Sequence, residues 1–488
     1  MLARQWILVS SIRPDRLRGR SFCRSLEDLM HIPAVSSLRF APILPLALLL
    51  SAVFPAVADD GESLPAIPAK LDLQDEDTFV FLGDSITHQR LYTQYVESFF
   101  YTRFPERRIR FHNAGVGGAQ AWDALQRMKK DVTDLQPKYV SILLGMNDGR
   151  YRPFDREIFT TYQTDMNEVI EQIREAGAAP ILMSPTMFDS RAAKLRQGKQ
   201  TAEMLAEYNS VLAYFGRWLQ HQAIESGHAW VDMYAPLNRL TVNQRKQDAS
   251  FTLIRDSVHP DPPGQVVMAL AMLEQLGVGK PLSSIVIRTS GRKGPKARAT
   301  GGDVSHLTLM DGLLEFDWQA EGLPWVLPAS AQAGVKLTRG AHRVSREILR
   351  ISGLKAGQYE IAIDDVVVAQ VSADRLAQRL ELQSNEKTPQ YQQALAVAKL
   401  NEEKNTGPVG ALRDAWREFQ GFARVKRNAE AQPNNQELQD KLKNLSVHMA
   451  NHDQRVDAAQ QQIAEFENQI YEANKPPLRH FVIRKVTK

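Results

Sequence analysis

The stretch Thr78-Phe79-Val80-Phe81-Leu82-Gly83-Asp84-Ser85-Ile86 sets a short apolar run directly against a Gly-Asp-Ser turn. A run of that length, closed by glycine, reads as a strand buried on both faces. Four more such runs follow at Ile109–His112, Tyr139–Leu144, Pro180–Ser184 and Trp230–Asp232. Helical stretches lie between and after them, near 91–103, 119–135, 156–176, 201–226 and 263–275. Strand–helix alternation of this kind gives a parallel sheet covered on both faces, with ligands bound beyond the carboxyl ends of the strands. Ser85 falls at that edge, next to a helix N-terminus where backbone N–H groups favour negative charge. That suits a nucleophile whose attack creates an oxyanion. Alone, the same tripeptide also describes an ordinary N-cap serine.

Three further stretches fall at the same edge. Asn113-Ala114-Gly115-Val116-Gly117-Gly118 follows the second run; its glycines let the backbone approach a ligand and aim N–H groups at it. The spacing is not that of a dinucleotide-binding loop. Gly145-Met146-Asn147-Asp148 ends the third run, where a side-chain amide can donate to developing charge. Asp148 reads as a structural cap. Asp256-Ser257-Val258-His259-Pro260 follows the fifth run and precedes the last helix of the alternation. A serine hydroxyl needs a base, and histidine titrates in the right range. Three positions' spacing lets the carboxylate reach Nδ1–H while Nε2 faces the serine. A second Asp-x-x-His, Asp303 to His306, lies beyond a basic stretch with no apolar helix after it. His88, on the serine's own helix, is expected to line the pocket.

With these blocks in this order, residues 76–278 resemble the SGNH, or GDSL, hydrolase family. The resemblance implies an α/β fold: a three-layer, doubly wound parallel sheet of flavodoxin-like kind. It implies Ser85 as nucleophile, His259 as base and Asp256 as the group that orients it. It also implies an oxyanion hole made by the Ser85 and Gly118 backbone N–H groups and the Asn147 amide. Gly118 is matched as the glycine closing the Gly117-Gly118 pair, with Gly115 and Gly117 as alternatives. The implied chemistry is ester hydrolysis through an acyl-serine, requiring no metal or organic cofactor. No G-x-S-x-G elbow is present, against an α/β-hydrolase. No G-x-x-x-x-G-K-[ST] loop supports phosphoryl transfer.

The flanks carry other signals. The chain has 488 residues, 43% of them apolar, and a net charge of +4. Seven arginines against three acidic residues in 1–58 account for all of that charge. The remainder is near neutral, so no nucleic-acid partner is implied. Phe40–Phe54 (FAPILPLALLLSAVF) follows Arg39 and precedes Ala56-Val57-Ala58. This is the pattern of a secretory signal peptide over 1–58, with Met30 as a possible start. The run falls short of the roughly 20 residues a span needs, so no stable membrane span is expected after cleavage, and a secreted or periplasmic protein follows. The single cysteine, Cys23, lies in that leader. The hydrolase domain is expected over 69–280 and a basic linker over 281–305. A small β-rich domain is expected over 306–385, a helical region over 386–474 and a C-terminal strand over 475–488. Leu438, Leu442, Leu445, Val456, Ile463, Phe466 and Ile470 form a narrow apolar stripe suited to a helical hairpin or to self-association.

All candidate residues fall within 65–280, which is expected to suffice for catalysis while the C-terminal half tunes access, binding or assembly. An acylated glycan is the first substrate reading. A lipid acyl ester is an alternative, and so is a catalytically inactive glycan-binding or scaffolding protein. The complete set of catalytic residue types argues against the last.

Overall fold

The computed structural model describes residues 66, 70–196, 201–290 and 294–486. The leader expected over 1–58, with Cys23 and Met30, lies outside the described residues. Strands β1 (Thr78–Gly83), β2 (Arg110–Gly115), β3 (Tyr139–Leu143), β4 (Ala179–Met183) and β5 (Ala229–Val231) form a parallel sheet. Their order is β2-β1-β3-β4-β5, the doubly wound flavodoxin-like arrangement. Its helices are α1 (Ser85–His88), α2 (Leu91–Arg103), α3 (Ala121–Asp131), α4 (Arg156–Glu175), α5 (Ser190–Leu195), α6 (Ala202–Ser226), α7 (Tyr234–Arg245) and α8 (Pro262–Gln275). Phe79 to Leu82 are buried from both sides, which is why β1 is continuously apolar rather than alternating. Helix α2 packs with α8 and α3 with α4, giving the two helical layers. Helices α5 and α7 stand where the sequence shows no helical stripe. In α7 only Leu237 and Thr241 are buried, too few to produce a periodic signal.

The chain continues through β6 (Ser283–Arg288), β7 (Lys296–Thr300), β8 (Gly302–Met310) and β9 (Leu313–Ala320). Helices α9 (Gln332–Thr338) and α10 (Gly340–Val344) lead to β10 (Glu347–Ser352), β11 (Gln358–Ile363) and β12 (Val366–Ser372). Then come α11 (Ala373–Gln378), β13 (Leu380–Glu381), α12 (Pro389–Thr406), α13 (Pro408–Ala431), α14 (Gln436–Met449), α15 (His452–Ala473) and β14 (Arg479–Lys485). These strands make two sheets, ordered β13-β10-β6-β7 and β12-β11-β14-β9-β8.

The stretch expected as a basic linker is therefore sheet on both sides of residues 291–293. In β7, Lys296, Arg298 and Thr300 are exposed while Ala297 and Ala299 turn inward. Alanine is too small to make that alternation visible as a strand pattern. The β-rich region is two sheets around a shared core of Ile285, Ile287, Phe316, Trp318, Ile351 and Ile361, not one. β14 comes last in the chain, yet it is the middle strand of its sheet, between β11 and β9.

The boundary near residue 285 does not divide the packing. One hydrophobic core runs from Leu71 to Tyr471. The Trp325 indole N–H donates to Tyr95 O at 2.9 Å. Asn401 donates to Gln94 O at 3.0 Å, Lys404 Nζ to the Tyr101 hydroxyl at 2.7 Å, and the Tyr471 hydroxyl to Ile109 O at 3.0 Å. Val456, Ile463 and Ile470, three of the seven residues of the apolar stripe, are buried against the chain's own core.

Candidate active site

Ser85 opens α1 directly after β1, at the sheet edge where strand order reverses between β1 and β3. The Asp84 carboxylate caps α1 by accepting the Ile86 N–H at 2.8 Å. Burial pushes the Asp84 carboxyl up to about 7. Gly115 packs against the same turn: a Cβ there would stand 2.4 Å from His88 N. Only a glycine lets β2 end that close to α1.

The loop before α8 brings in the other two groups. His259 Nε2 lies 2.7 Å from Ser85 Oγ, and His259 Nδ1 lies 2.6 Å from Asp256 Oδ2. The backbone N–H groups of Val258 and His259 donate to Asp256 Oδ1 at 3.0 and 2.7 Å. The carboxylate is thus fixed in place independently of the ring. Burial alone would raise Asp256, but the His259 ring and these N–H groups outweigh it and hold the carboxyl at about 2. The hydrogen bond to Asp256 in turn raises His259 above the ordinary imidazole value, against the opposing effect of burial.

Gly118 has φ +71, a left-handed conformation that favours glycine. Among the described residues, the backbone N–H groups of Ser85 and Gly118 have no acceptor. Asn147 donates one amide hydrogen to Ala119 O at 3.0 Å and accepts from the Tyr151 hydroxyl at 3.2 Å. Its second amide hydrogen remains. Asp148 accepts the Ala121 N–H at 2.8 Å, holding the start of α3, and burial pushes its carboxyl up to about 7.

His88 turns to Gly115 O, with Nδ1 at 3.3 Å. Burial and the neighbouring Arg90 and Arg413 push it down to about 4. His306 pairs with Asp317 at 2.8 Å rather than with Asp303, on an exposed sheet face.

Sequence reasoning overlooked the contribution of α13. Gln420 Nε2 donates to Gly117 O at 3.0 Å, and Arg424 Nη2 to Gly118 O at 2.7 Å. The spacing of Arg413, Arg417, Gln420 and Arg424 on one helical face was the available signal. A cavity of about 750 Å³ opens beside His259, lined by Tyr151, Arg152, Phe188, Arg196, Met204 and Val258 among others. No cluster of three or more metal-ligating side chains occurs among the described residues.

The model of the GDSL-like lipase/acylhydrolase family matches residues 81–267. The chain is 26% identical over 219 residues to an acetylxylan esterase of Geobacillus stearothermophilus, across 41% of this chain and 93% of that one. It is 38% identical over 74 residues to the lipoprotein YqeF of Bacillus subtilis, 15% of this chain and 30% of that one. A solved structure described as a gut microbial diltiazem-metabolizing enzyme superposes with a TM-score of 0.69 at 26% identity, covering 86% of this chain and 100% of that one. That likeness reaches well past the matched domain into the C-terminal sheets and helices. With the blocks around Ser85, Gly118 and Asn147 at one sheet edge and His259 brought to them, residues 81–267 match the GDSL-like lipase/acylhydrolase family, and the chain is a carboxylic ester hydrolase.

Proposed function

We propose that this chain is an exported serine esterase that removes acyl groups, acetyl above all, from glycans. The observation that carries the catalytic part is the unbroken hydrogen-bonded chain from Asp256 through His259 to Ser85. His259 Nε2 takes the Ser85 proton as Oγ attacks the ester carbonyl. Asp256 keeps the proton on Nδ1 and stabilises the imidazolium that forms. The carbonyl oxygen becomes an oxyanion facing the Ser85 and Gly118 N–H groups and the free Asn147 amide hydrogen. On collapse the C–O bond to the alcohol breaks, and His259 delivers its proton to that oxygen. Water, deprotonated by His259, then attacks the acyl-serine; the acid leaves and Ser85 regains its proton.

The glycan reading is supported by the acetylxylan esterase relative and by the cavity's mixture of cations and aromatic rings beside His259. Stacking rings and hydrogen-bonding side chains suit a sugar as the leaving alcohol. Export is supported by the leader-like sequence over 1–58. The test is acetate release from acetylated xylo-oligosaccharides, compared with hydrolysis of a long-chain fatty ester. Acetate release lost in Ser85→Ala is the expected result. Fast turnover of the fatty ester with no acetate released would replace the glycan with a lipid.

A further inference from the structure

The Gly117–Gly118 peptide is held from outside the hydrolase domain. Its carbonyl, Gly117 O, accepts from Gln420 Nε2 at 3.0 Å. A trans peptide is planar, with its C=O and N–H pointing in opposite directions. Fixing the carbonyl toward α13 therefore fixes the Gly118 N–H toward the side away from α13. That N–H has no acceptor among the described residues. Glycine on both sides of the peptide leaves it unusually free to rotate, so sequence alone does not set its direction.

Gln420 is well placed for this. It is 4% exposed, and its Oε1 has no partner among the described residues, so the bond to Gly117 is what orients the amide. The helix that carries it is anchored on both sides. One helical turn and more before it, Arg413 binds Asp131 through two hydrogen bonds. One turn after it, Arg424 grips both oxygens of Asp123 at 2.7 and 2.6 Å and donates to Gly118 O. Asp123 itself accepts the Gln120 N–H at the start of α3. The Gly117-Gly118 end of the glycine loop is thus held by α13, which is itself tied to the start of α3 through Asp123.

We propose that Gln420 is a positioning residue for the oxyanion hole: by holding Gly117 O, it aims the Gly118 N–H at the developing charge. The C-terminal half then completes the active site without touching substrate. This rests on the reading of Gly118 as an oxyanion donor.

The experiment uses the full chain and a small activated acetyl ester. Gln420→Met keeps the length of the side chain and removes the donor. Its kcat should fall about 10- to 100-fold, short of or equal to the loss of one oxyanion donor, with KM within about twofold. Binding of a boronic acid, whose tetrahedral adduct on Ser85 carries the same negative oxygen, should weaken by a similar factor. A merely structural role would leave the ratio of boronic acid binding to product binding unchanged, and that result would overturn the proposal. So would a folded Gln420→Met with kcat within twofold of the parent while Ser85→Ala is inactive. Turnover surviving in Ser85→Ala would instead remove the catalytic reading on which the proposal rests. Should Gln420→Met fail to fold, Gln420→Glu keeps the shape. Assayed at alkaline pH, where even a buried carboxyl has lost its proton, it cannot donate, so the same fall in kcat relative to the parent at that pH is expected, and an unchanged kcat would overturn the proposal.

Discussion

Arg413 binds Asp131 through both ends of its guanidinium, Nη1 to Oδ2 at 2.9 Å and Nη2 to Oδ1 at 2.7 Å, with neither side chain exposed. Arg127 and His112 close on the same carboxylate at 2.5 and 2.9 Å. Burial would raise Asp131, but the guanidinium groups and the His112 hydrogen bond outweigh it and hold the carboxyl well below its usual range. The stability this carboxylate contributes is therefore fully present above the ordinary carboxylate range and is lost progressively as pH falls from that range through the depressed value.

This pairing joins the C-terminal helices to the catalytic domain, and it sets the first prediction. Arg413→Met should destabilise the folded chain by about 3–5 kcal/mol, the usual cost of breaking a buried ion pair from one side. Urea unfolding of the full chain measures it. A fragment ending at residue 280 loses Arg413 and also Trp325, Trp416 and Tyr471, all buried in the common core. It should aggregate or remain unfolded. A soluble, fully active fragment would show that the two halves are energetically independent.

The parallel sheet was legible because its strands are buried on both faces and end at or just before glycine, proline or aspartate: Gly83, Gly115, Gly145, Pro185 and Asp232. The Ser85, Asn147 and His259 positions were legible because each sits in a short segment next to a strand end or a helix start: Ser85 opens α1, Asn147 follows β3, and His259 precedes α8. What escaped was polar packing. Gln94, Glu97 and Ser98 are polar and break any apolar stripe on α2, yet they are buried beneath α12. Asn401 bonds Ser98, and Asn405 and Lys404 bond Glu97. Hydrophobic periodicity cannot register a contact built from matched donors and acceptors more than 300 residues apart. For the same reason nothing in the apolar pattern marks Gln420 and Arg424 as partners of the glycine loop.

The second prediction concerns Asn147. Replacement by alanine removes the free amide hydrogen and should lower kcat by about 10²–10³-fold with little change in KM. It also removes the bonds to Ala119 O and the Tyr151 hydroxyl. Asn147→Asp separates the two effects: it can still accept from Tyr151 but presents negative charge to the oxyanion. A loss in kcat at least as large as in Asn147→Ala is expected. A raised KM with kcat intact in both variants would assign Asn147 to substrate binding instead.

The last prediction follows from the charge on His259. To act as base the ring must be neutral, so the acid limb of kcat/KM reports its ionisation in the free enzyme. Asp256 raises that ionisation above the ordinary imidazole value, so activity should rise with pH through a midpoint above about 6.5. The sign for stability is opposite. A group raised in the folded state stabilises fully below its unfolded value, and that contribution disappears as pH rises through the folded value. The enzyme therefore gains activity over the same interval in which the His259–Asp256 ion pair stops contributing to stability. Asp256→Asn removes the negative charge but keeps an oxygen beside Nδ1. The midpoint should then move to lower pH, while the plateau falls by about 10⁴-fold because the wrong tautomer is favoured. Rate profiles of both proteins on one activated ester, with melting temperatures across the same pH range, measure both signs. A midpoint that stays in place in a folded Asp256→Asn would mean that a group other than His259 controls the limb, with the buried Asp84 carboxyl, raised to about 7, the group that titrates in that interval.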